Sequence, residues 1–469
     1  MLSKVTNNIV DTNSGAGSGA GTGLTAKIGV SSVASPEPIV IRNSMDSDTI
    51  KEKLGNSPLA DACIDAVENG AGTIYCLPVA ATTQGTISEA EHVGTGTATV
   101  EASGHPTNEF VIIVRVETGG LTNEATVSIS ENDGVDWLDE QTVPLGGAIT
   151  VPNTGVTLTF TADASKVLVA GDTYTFKATA PAASTANIVN AVNVFRTYPA
   201  KIEMIHIVGT TAPALWASLE ALGKTWEKDY GRPLLFLVEH RKPASGETAA
   251  AYAAAIKADA KSVKGRHVAV VSQWASYVRL DGRQQDINMA GCISGWIASS
   301  KESTSIAFVR DFVFAEGKVV KLLPEGIGDY MNELDECRYI FLRTYNGMDG
   351  FYVASANTTA PATSTFCDIE TARVMYRLSR EVYQRALEHQ NEDFDQSEPE
   401  VAYQYLQADL NVPVDDAVRD EIISEGAVTI LTDEINPGKD KKVPVRIQCV
   451  PRGYFREINL NFYVVNSLA

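Results

Sequence analysis

The chain contains no run of about 18 apolar residues, the length an α-helix needs to cross a bilayer, and its start, MLSKVTNNIVDTN, lacks the apolar segment of a secretory signal. Membrane insertion is therefore not expected, and synthesis in a cytoplasm is. Basic charge is also scarce. The 38 Lys and Arg stand against 58 Asp and Glu, a formal charge of -20. Binding to nucleic acid needs a basic surface that displaces counterions, so direct nucleic-acid binding is not expected. The cysteines, Cys63, Cys76, Cys292, Cys337, Cys367 and Cys449, form no CxxC pair and have no zinc-like spacing with histidine. The histidines, His92, His105, His206, His240, His267 and His389, form no HxxxH or HExxH pair, and no GxSxG elbow presents a serine. The glycines of SGAGSGAGTG (14–23) are followed by no Lys-Ser or Lys-Thr, which removes the phosphate-loop reading. No catalytic residue, cofactor or metal is expected.

Two histidines, His206 in IEMIHIVGT and His240 in LLFLVEH, stand inside apolar strand patterns. Hydrogen-bonded structural histidines are the favoured reading over acid–base groups. The acidic cluster Glu131, Asp133, Asp136, Asp139 and Glu140 lacks EF-hand spacing, and its Asn132-Asp133-Gly134 step reads as a hairpin turn. The cysteines read as reduced core thiols. If the assembled particle leaves the cell, oxidation between neighbouring subunits is the sharper alternative for all six.

What the sequence does contain is a change of texture along its length. Residues 1–23 read as a detached arm, with Val5, Ile9 and Val10 among polar residues, followed by the flexible Gly-rich linker. Residues 24–84 hold a strand, a helix pair whose second member starts at Ser57-Pro58, and a second buried strand, the first part of an α/β core. From 85 to 183 the chain turns rich in Thr, Val and Gly, with runs such as EFVIIVRVE and VTLTFTAD between turns; this reads as an exposed, inserted β-sandwich. It carries about half of the net charge. Residues 184–345 alternate short apolar runs with amphipathic helices, the pattern of βαβ units and a mostly parallel sheet, with Gly231 and Gly265 where helix C-caps are expected. Residues 346–453 read as an α+β C-terminal core, and 454–469 as a terminal strand or arm. The fold class is thus multi-domain α/β with a β insertion.

Two features of the C-terminal part bear on binding. In the helix expected over 369–390, Arg373, Arg377, Arg380 and Gln384 fall within about 60° of arc, opposite Met375, Leu378, Val382 and Ala386. The wheel predicts arginines turned outward, either a solvated face paired with local acids such as Glu381 or a contact with an acidic partner. A second helix is expected over 414–424, after an acidic, proline-broken stretch. The chain then closes with AVTILTDEI, VPVRIQCV and REINLNFYVV. In the last of these Ile458, Leu460, Phe462 and Val464 alternate with polar residues, a period-two strand with one face to bury. It either closes its own sheet or, together with the N-terminal arm, adds to a neighbour's.

In order along the chain, KIGVSS, LGNSPLADACIDAVENGAGTIYCLPV, SIAFVRDFVF, YIFLRTYNGMDGFYVASANTTAPATSTF, IETARVMYRLSREVYQRALE and VPRGYFREINLNFYV resemble segments of the contractile tail sheath proteins of phages and related injection machines. The 85–183 module departs from the minimal sheath, though its Ser130, Asp133, Gly134 and Trp137 are similar to a pattern in modules that decorate phage structural proteins. The resemblance implies hexameric rings stacked around an inner tube, joined by exchanged terminal arms, in a virion tail assembled in the host cytoplasm. Implied partners are further copies of the chain, the tail tube protein, and baseplate and terminator proteins. It places the C-terminal core toward the tube, with two candidate contacts: the Arg373, Arg377 and Arg380 stripe, and the acidic helix of Asp415, Asp416, Asp420 and Glu421. The competing expectations are a virion adhesin or carbohydrate-binding protein carrying an Ig-like module, and a nucleotide-using α/β enzyme resting on fold class alone.

Overall fold

The computed structural model describes residues 24–434, 442–456, 458 and 460. The chain begins with β1 (Leu24–Val30) and β2 (Ile39–Arg42), then α1 (Ser47–Leu54), α2 (Pro58–Glu68) and β3 (Thr73–Val79). Asp46 caps α1 by accepting from Thr49 N at 2.8 Å. Ser57 caps α2 with Pro58 in its first turn, where a missing N–H costs nothing.

Eight strands follow: β4 (Glu91–Val93), β5 (Thr99–Gly104), β6 (Phe110–Thr118), β7 (Thr126–Ser130), β8 (Gln141–Thr142), β9 (Ala148–Val151), β10 (Val156–Thr161) and β11 (Thr173–Ala178). They make two antiparallel sheets, β5-β10-β9 and β4-β11-β6-β7-β8, whose alternating inward residues, among them Ile112, Val114, Val127, Leu158 and Phe176, form a separate core. The chain enters and leaves this sandwich side by side, because Thr82 N and Thr83 N both donate to Ala182 O, at 2.8 and 3.0 Å. Asp133 and Gly134 take left-handed φ of 60° and 82° there, within the longer connection from β7 to β8.

After the sandwich come α3 (Thr185–Val194), β12 (Met204–Thr210), α4 (Pro213–Tyr230), β13 (Leu235–Glu239), α5 (Ala249–Asp259) and β14 (Val268–Val271). Strands from both sides of the insertion join one six-stranded sheet, order β14-β13-β12-β1-β3-β2, parallel except for the edge strand β2. Thr25 stands opposite Met204. Ala26, Ile28, Ile205, Ile207, Phe236 and Val238 face α3, α4 and α5, while Met204, Leu235 and Leu237 face the other way. Burial on both sides explains why these strands read as near-continuous apolar runs. Gly231 caps α4 in the left-handed region, and a Cβ there would strike the Tyr383 ring. Gly265 corrects the expectation of a second such cap, since α5 ends at Asp259. Its missing side chain instead makes room for the Glu220 carboxylate, which accepts from His267 N at 2.9 Å.

The second face of the sheet is covered by α2 and by a layer built from β15 (Trp274–Val278), β16 (Gln284–Asn288), α6 (Ala290–Ser299) and β17 (Val319–Leu323). Then come α7 (Met331–Glu336), β18 (Leu342–Tyr345), β19 (Met348–Val353), α8 (Ile369–Glu388), α9 (Pro399–Arg419), β20 (Glu425–Ile430) and β21 (Val445–Val450). The overall class is the mixed α/β one expected. The helix expected over 414–424 is corrected: α9 starts fifteen residues earlier, at Pro399, and carries Pro413 inside it. An internal proline costs roughly 3 kcal/mol of helix stability. Burial of Leu410, Val414 and Ala417 against Val374, Leu378 and Val382 of α8 offsets that cost. The expected NPGKDKK turn falls almost entirely outside the described residues, as do Val5, Ile9, Val10, Phe462 and Val464.

Candidate functional site

The titratable groups at the centre of the sheet are sealed. Lys27 Nζ donates to Ser294 Oγ at 2.7 Å and lies 2.8 Å from His206 Nδ1, and His206 Nε2 lies 3.0 Å from Glu239 Oε1. The lysine can only donate, so His206 accepts at Nδ1 and donates from Nε2, as a neutral ring does. Burial and the Lys27 cation drive the His206 pKa well down, burial lowers that of Lys27, and burial raises Glu239 to about 7. Lys27, His206 and Ser294 are all buried. His240 is likewise buried and pairs with Asp259 at 3.0 Å. Both ring nitrogens of His206 are thus partnered, whereas His240 is held through Nε2 alone and its buried Nδ1 has no partner among the described residues. Among the described residues no group of three or more His, Cys, Asp or Glu is arranged to hold a metal.

A second buried cluster locks the layers together, and no local pattern announced it. Arg279 and Arg283, from the β15–β16 connection, reach Asp65 at 3.1 Å and Asp61 at 3.2 Å respectively, while Asn108 of the sandwich donates to Asp61 at 2.8 Å. Burial pushes the Asp61 carboxyl up, but the two guanidinium groups outweigh it and hold the group to about 2. Its partners lie far along the chain.

The arginines of α8 correct the outward stripe. Arg373 and Arg380 are buried, and Arg377 is largely covered. Arg373 pairs with Glu203 at 3.2 Å and donates to Ser300 O at 3.0 Å. Arg377 pairs with Glu302 at 3.2 Å and with Glu381 at 3.0 Å, and Arg380 donates to Pro233 O at 2.7 Å. The helix is sandwiched: its apolar face meets α9 and its arginine face meets the α/β body. The wheel separates the two faces correctly and cannot tell that both are covered.

What remains open is the far side of α9 and the hairpin beyond it. Val401, Tyr405 and Val412 are exposed at helical spacing, with Ala408 and Arg419 on the same face. β20 and β21 form an antiparallel pair with no further strand among the described residues; the outer edge of β20 lies on α9, where Asn411 Oδ1 accepts from Val428 N at 3.1 Å and Gln407 Oε1 from Ile430 N at 3.4 Å, and β21 is left as the edge with no strand beside it. Ile447 and Val450 of β21 are exposed. Past the hairpin the chain is pinned to the body. Tyr454 Oη donates to Ser303 O at 2.8 Å, and Arg456 pairs with Asp368 just before α8. Between and beyond these anchors Phe455, Ile458 and Leu460 are 95%, 70% and 71% exposed. The sequence alternation marked Ile458 and Leu460 as needing cover; the described residues leave both largely exposed. No local signal could have found the Asp368 anchor, 88 residues away.

The six cysteines are unbridged. Cys63, Cys76, Cys292 and Cys337 are buried, which closes them to a neighbouring subunit and corrects that expectation for these four; Cys367 and Cys449 are partly accessible.

Two family models cover nearly the whole chain: DUF2586, N-terminal domain, over residues 2–357, and DUF2586, C-terminal domain, over residues 366–469. No curated protein matches the sequence. Among solved structures, the contracted sheath complex of an extracellular contractile injection system, PVC, is 11% identical with a TM-score of 0.54, covering 99% of this chain and 98% of that one. The contracted helical sheath of the anti-feeding prophage is 11% identical with a TM-score of 0.52, covering 98% of each chain. A chain of the anti-feeding prophage baseplate is 10% identical with a TM-score of 0.51, covering 99% of this chain and 100% of that one. At these identities the likeness is one of fold, and it runs from end to end.

Proposed function

This chain belongs to the DUF2586 family, and on that premise we propose that it is the subunit of a contractile tail sheath, a structural protein of a phage-like particle that polymerises around an inner tube and has no catalytic role. The observation that carries the reading is the β20–β21 hairpin. Isolated two-stranded sheets are marginal in water, and unpaired edges are templates for strand addition. Here the open edge is that of β21, since α9 covers the other, and the chain runs on from it into three outward apolar side chains, Phe455, Ile458 and Leu460, on a segment anchored at Tyr454 and Arg456. Strands contributed by neighbouring copies, including the segments of Val5, Ile9 and Val10 and of Phe462 and Val464, complete the sheet through main-chain hydrogen bonds. The end-to-end likeness to contracted sheaths supports the same reading.

Contraction then requires no fuel. Rings assembled in an extended state fall to a wider, shorter one when the baseplate releases them; the rigid domains repack while the strand links hold, and the tube is driven through the host envelope. The tube-facing surface is the outer side of α9. The arginines of α8 are spent on Glu203, Glu302 and Pro233, whereas α9 offers the Val401, Tyr405 and Val412 ridge beside Asp415, Asp416, Asp420 and Glu421.

Purified protein is expected to form hollow cylinders in negative stain, alone or with its tube. A chain that stays monomeric at every concentration, with and without the tube, would overturn the reading. The double substitution Tyr405→Asp/Val412→Asp is expected to leave cylinders intact and to remove the tube from them. Tube retained in the variant's cylinders would move the contact elsewhere.

A further inference from the structure

Cys63, in the middle of α2, and Cys76, in the middle of β3, bring their Sγ atoms to 3.0 Å. Both side chains are 0% exposed. The contact follows from the fold: α2 lies across the sheet and the chain returns after a short turn as β3, so the helix face that carries Cys63 meets the strand face that carries Cys76. Both thiols belong to the same small core as Ile64 and Ile74. The Lys27 ammonium on the adjacent strand, opposite Cys76 in register, lies within electrostatic reach of both sulfurs. Among the described residues no other pair of cysteines is in contact.

We propose that Cys63 and Cys76 are an oxidative modification site, closing to an intrachain disulfide that staples α2 to β3. The oxidant class is a small peroxide, which alone has the size to enter this core during local opening. One thiol loses its proton and attacks a peroxide oxygen; the O–O bond breaks, water leaves and a sulfenic acid forms. The second thiol displaces the sulfenic hydroxyl as a second water, forming the S–S bond. Two sulfurs give up two electrons and the peroxide is reduced to two waters. Burial pushes the Cys76 thiol well up and the Lys27 ammonium offsets only part of that, so the thiolate forms during the same local opening that admits the peroxide. Oxidation in this protein therefore links two elements of one subunit, and it braces the helix whose Asp61 and Asp65 hold the β15–β16 connection through Arg279 and Arg283.

The test uses the full-length protein exposed to hydrogen peroxide, then quenched, denatured and alkylated for intact-mass and peptide analysis. The expected result is the loss of two of the six alkylatable thiols, a monomeric band on a non-reducing gel, and one linked peptide pair containing Cys63 and Cys76. The oxidised protein melts at a higher temperature, and a dithiol reductant reverses the shift. Cys63→Ala abolishes the linked pair and the thermal shift; Cys292→Ala, an equally buried control, keeps both. If Cys63→Ala fails to fold, Cys76→Ala serves in its place, and the peptide map of the unaltered chain decides alone. Recovery of alkylated Cys63 and Cys76 after peroxide treatment, their conversion to separate oxyacids, or a link to any other cysteine would overturn the assignment.

Discussion

Arg373→Met is expected to destabilise the protein by about 3–5 kcal/mol, the usual consequence of removing one partner from a buried ion pair. Arg373 and Glu203 are each about 1% exposed at the side chain, so no water replaces the lost guanidinium. Burial already raises the Glu203 carboxyl, and one of its oxygens has no partner of its own. Deleting the arginine leaves that carboxylate no counter-charge at the pair and also strands Ser300 O, which Arg373 satisfies at 3.0 Å. The double variant Arg373→Met/Glu203→Gln is expected to recover part of the loss, since most of the penalty belongs to the orphaned charge and not to the pair itself. Arg385 of the same helix provides the contrast. It is 40% exposed and pairs with Glu388 and Asp409 at the surface, so Arg385→Ala is expected to cost about 1 kcal/mol or less. Urea unfolding midpoints of the four proteins make the comparison. Equal costs at 373 and 385 would mean that the arginine face of α8 is solvated after all.

Removal of the chain from Glu457 onward is expected to abolish cylinders completely while leaving the monomer's unfolding midpoint unchanged within about 0.5 kcal/mol. The reason is that Ile458 and Leu460 are left largely exposed by the described residues, whereas the anchors at Tyr454 and Arg456 survive the truncation. Ile458→Asp/Leu460→Asp should act the same way with the length preserved, because a charge on the buried face of an added strand carries a desolvation cost. Deleting residues 1–13 is expected to match the phenotype if both arms complete one sheet. Sedimentation and negative-stain microscopy read the outcome. Normal cylinders from both truncated chains would rule out exchange of arms as the link between subunits.

How much of this was legible before the fold was known differs from element to element. The 2.0 and 3.6 periods announced the longer strands and helices, among them β6, β10, α4 and α8, because side-chain direction along a single element is a local property, whereas β15, β16, β17 and α6, buried in a layer between other elements, went unannounced. Ser57-Pro58 marked the start of α2, and Gly231 the end of α4, for the same reason. The Thr- and Val-rich stretch announced its sandwich through alternation and turns. At Pro413 the local rule failed, since burial of Leu410 and Val414 against α8 outweighs one missing hydrogen bond.

For the longer elements the sequence alone thus determined their kind and which face was apolar, both set by residues a few positions apart. Only the tertiary structure decided what each face would meet. The α8 arginines turned inward because Glu203, Glu302 and the Pro233 carbonyl, all far along the chain, wait there. Cys63 met Cys76 because a helix folded back across its own sheet. Pairings over such distances are fixed by the geometry of packed layers, and no periodicity within one segment can encode them.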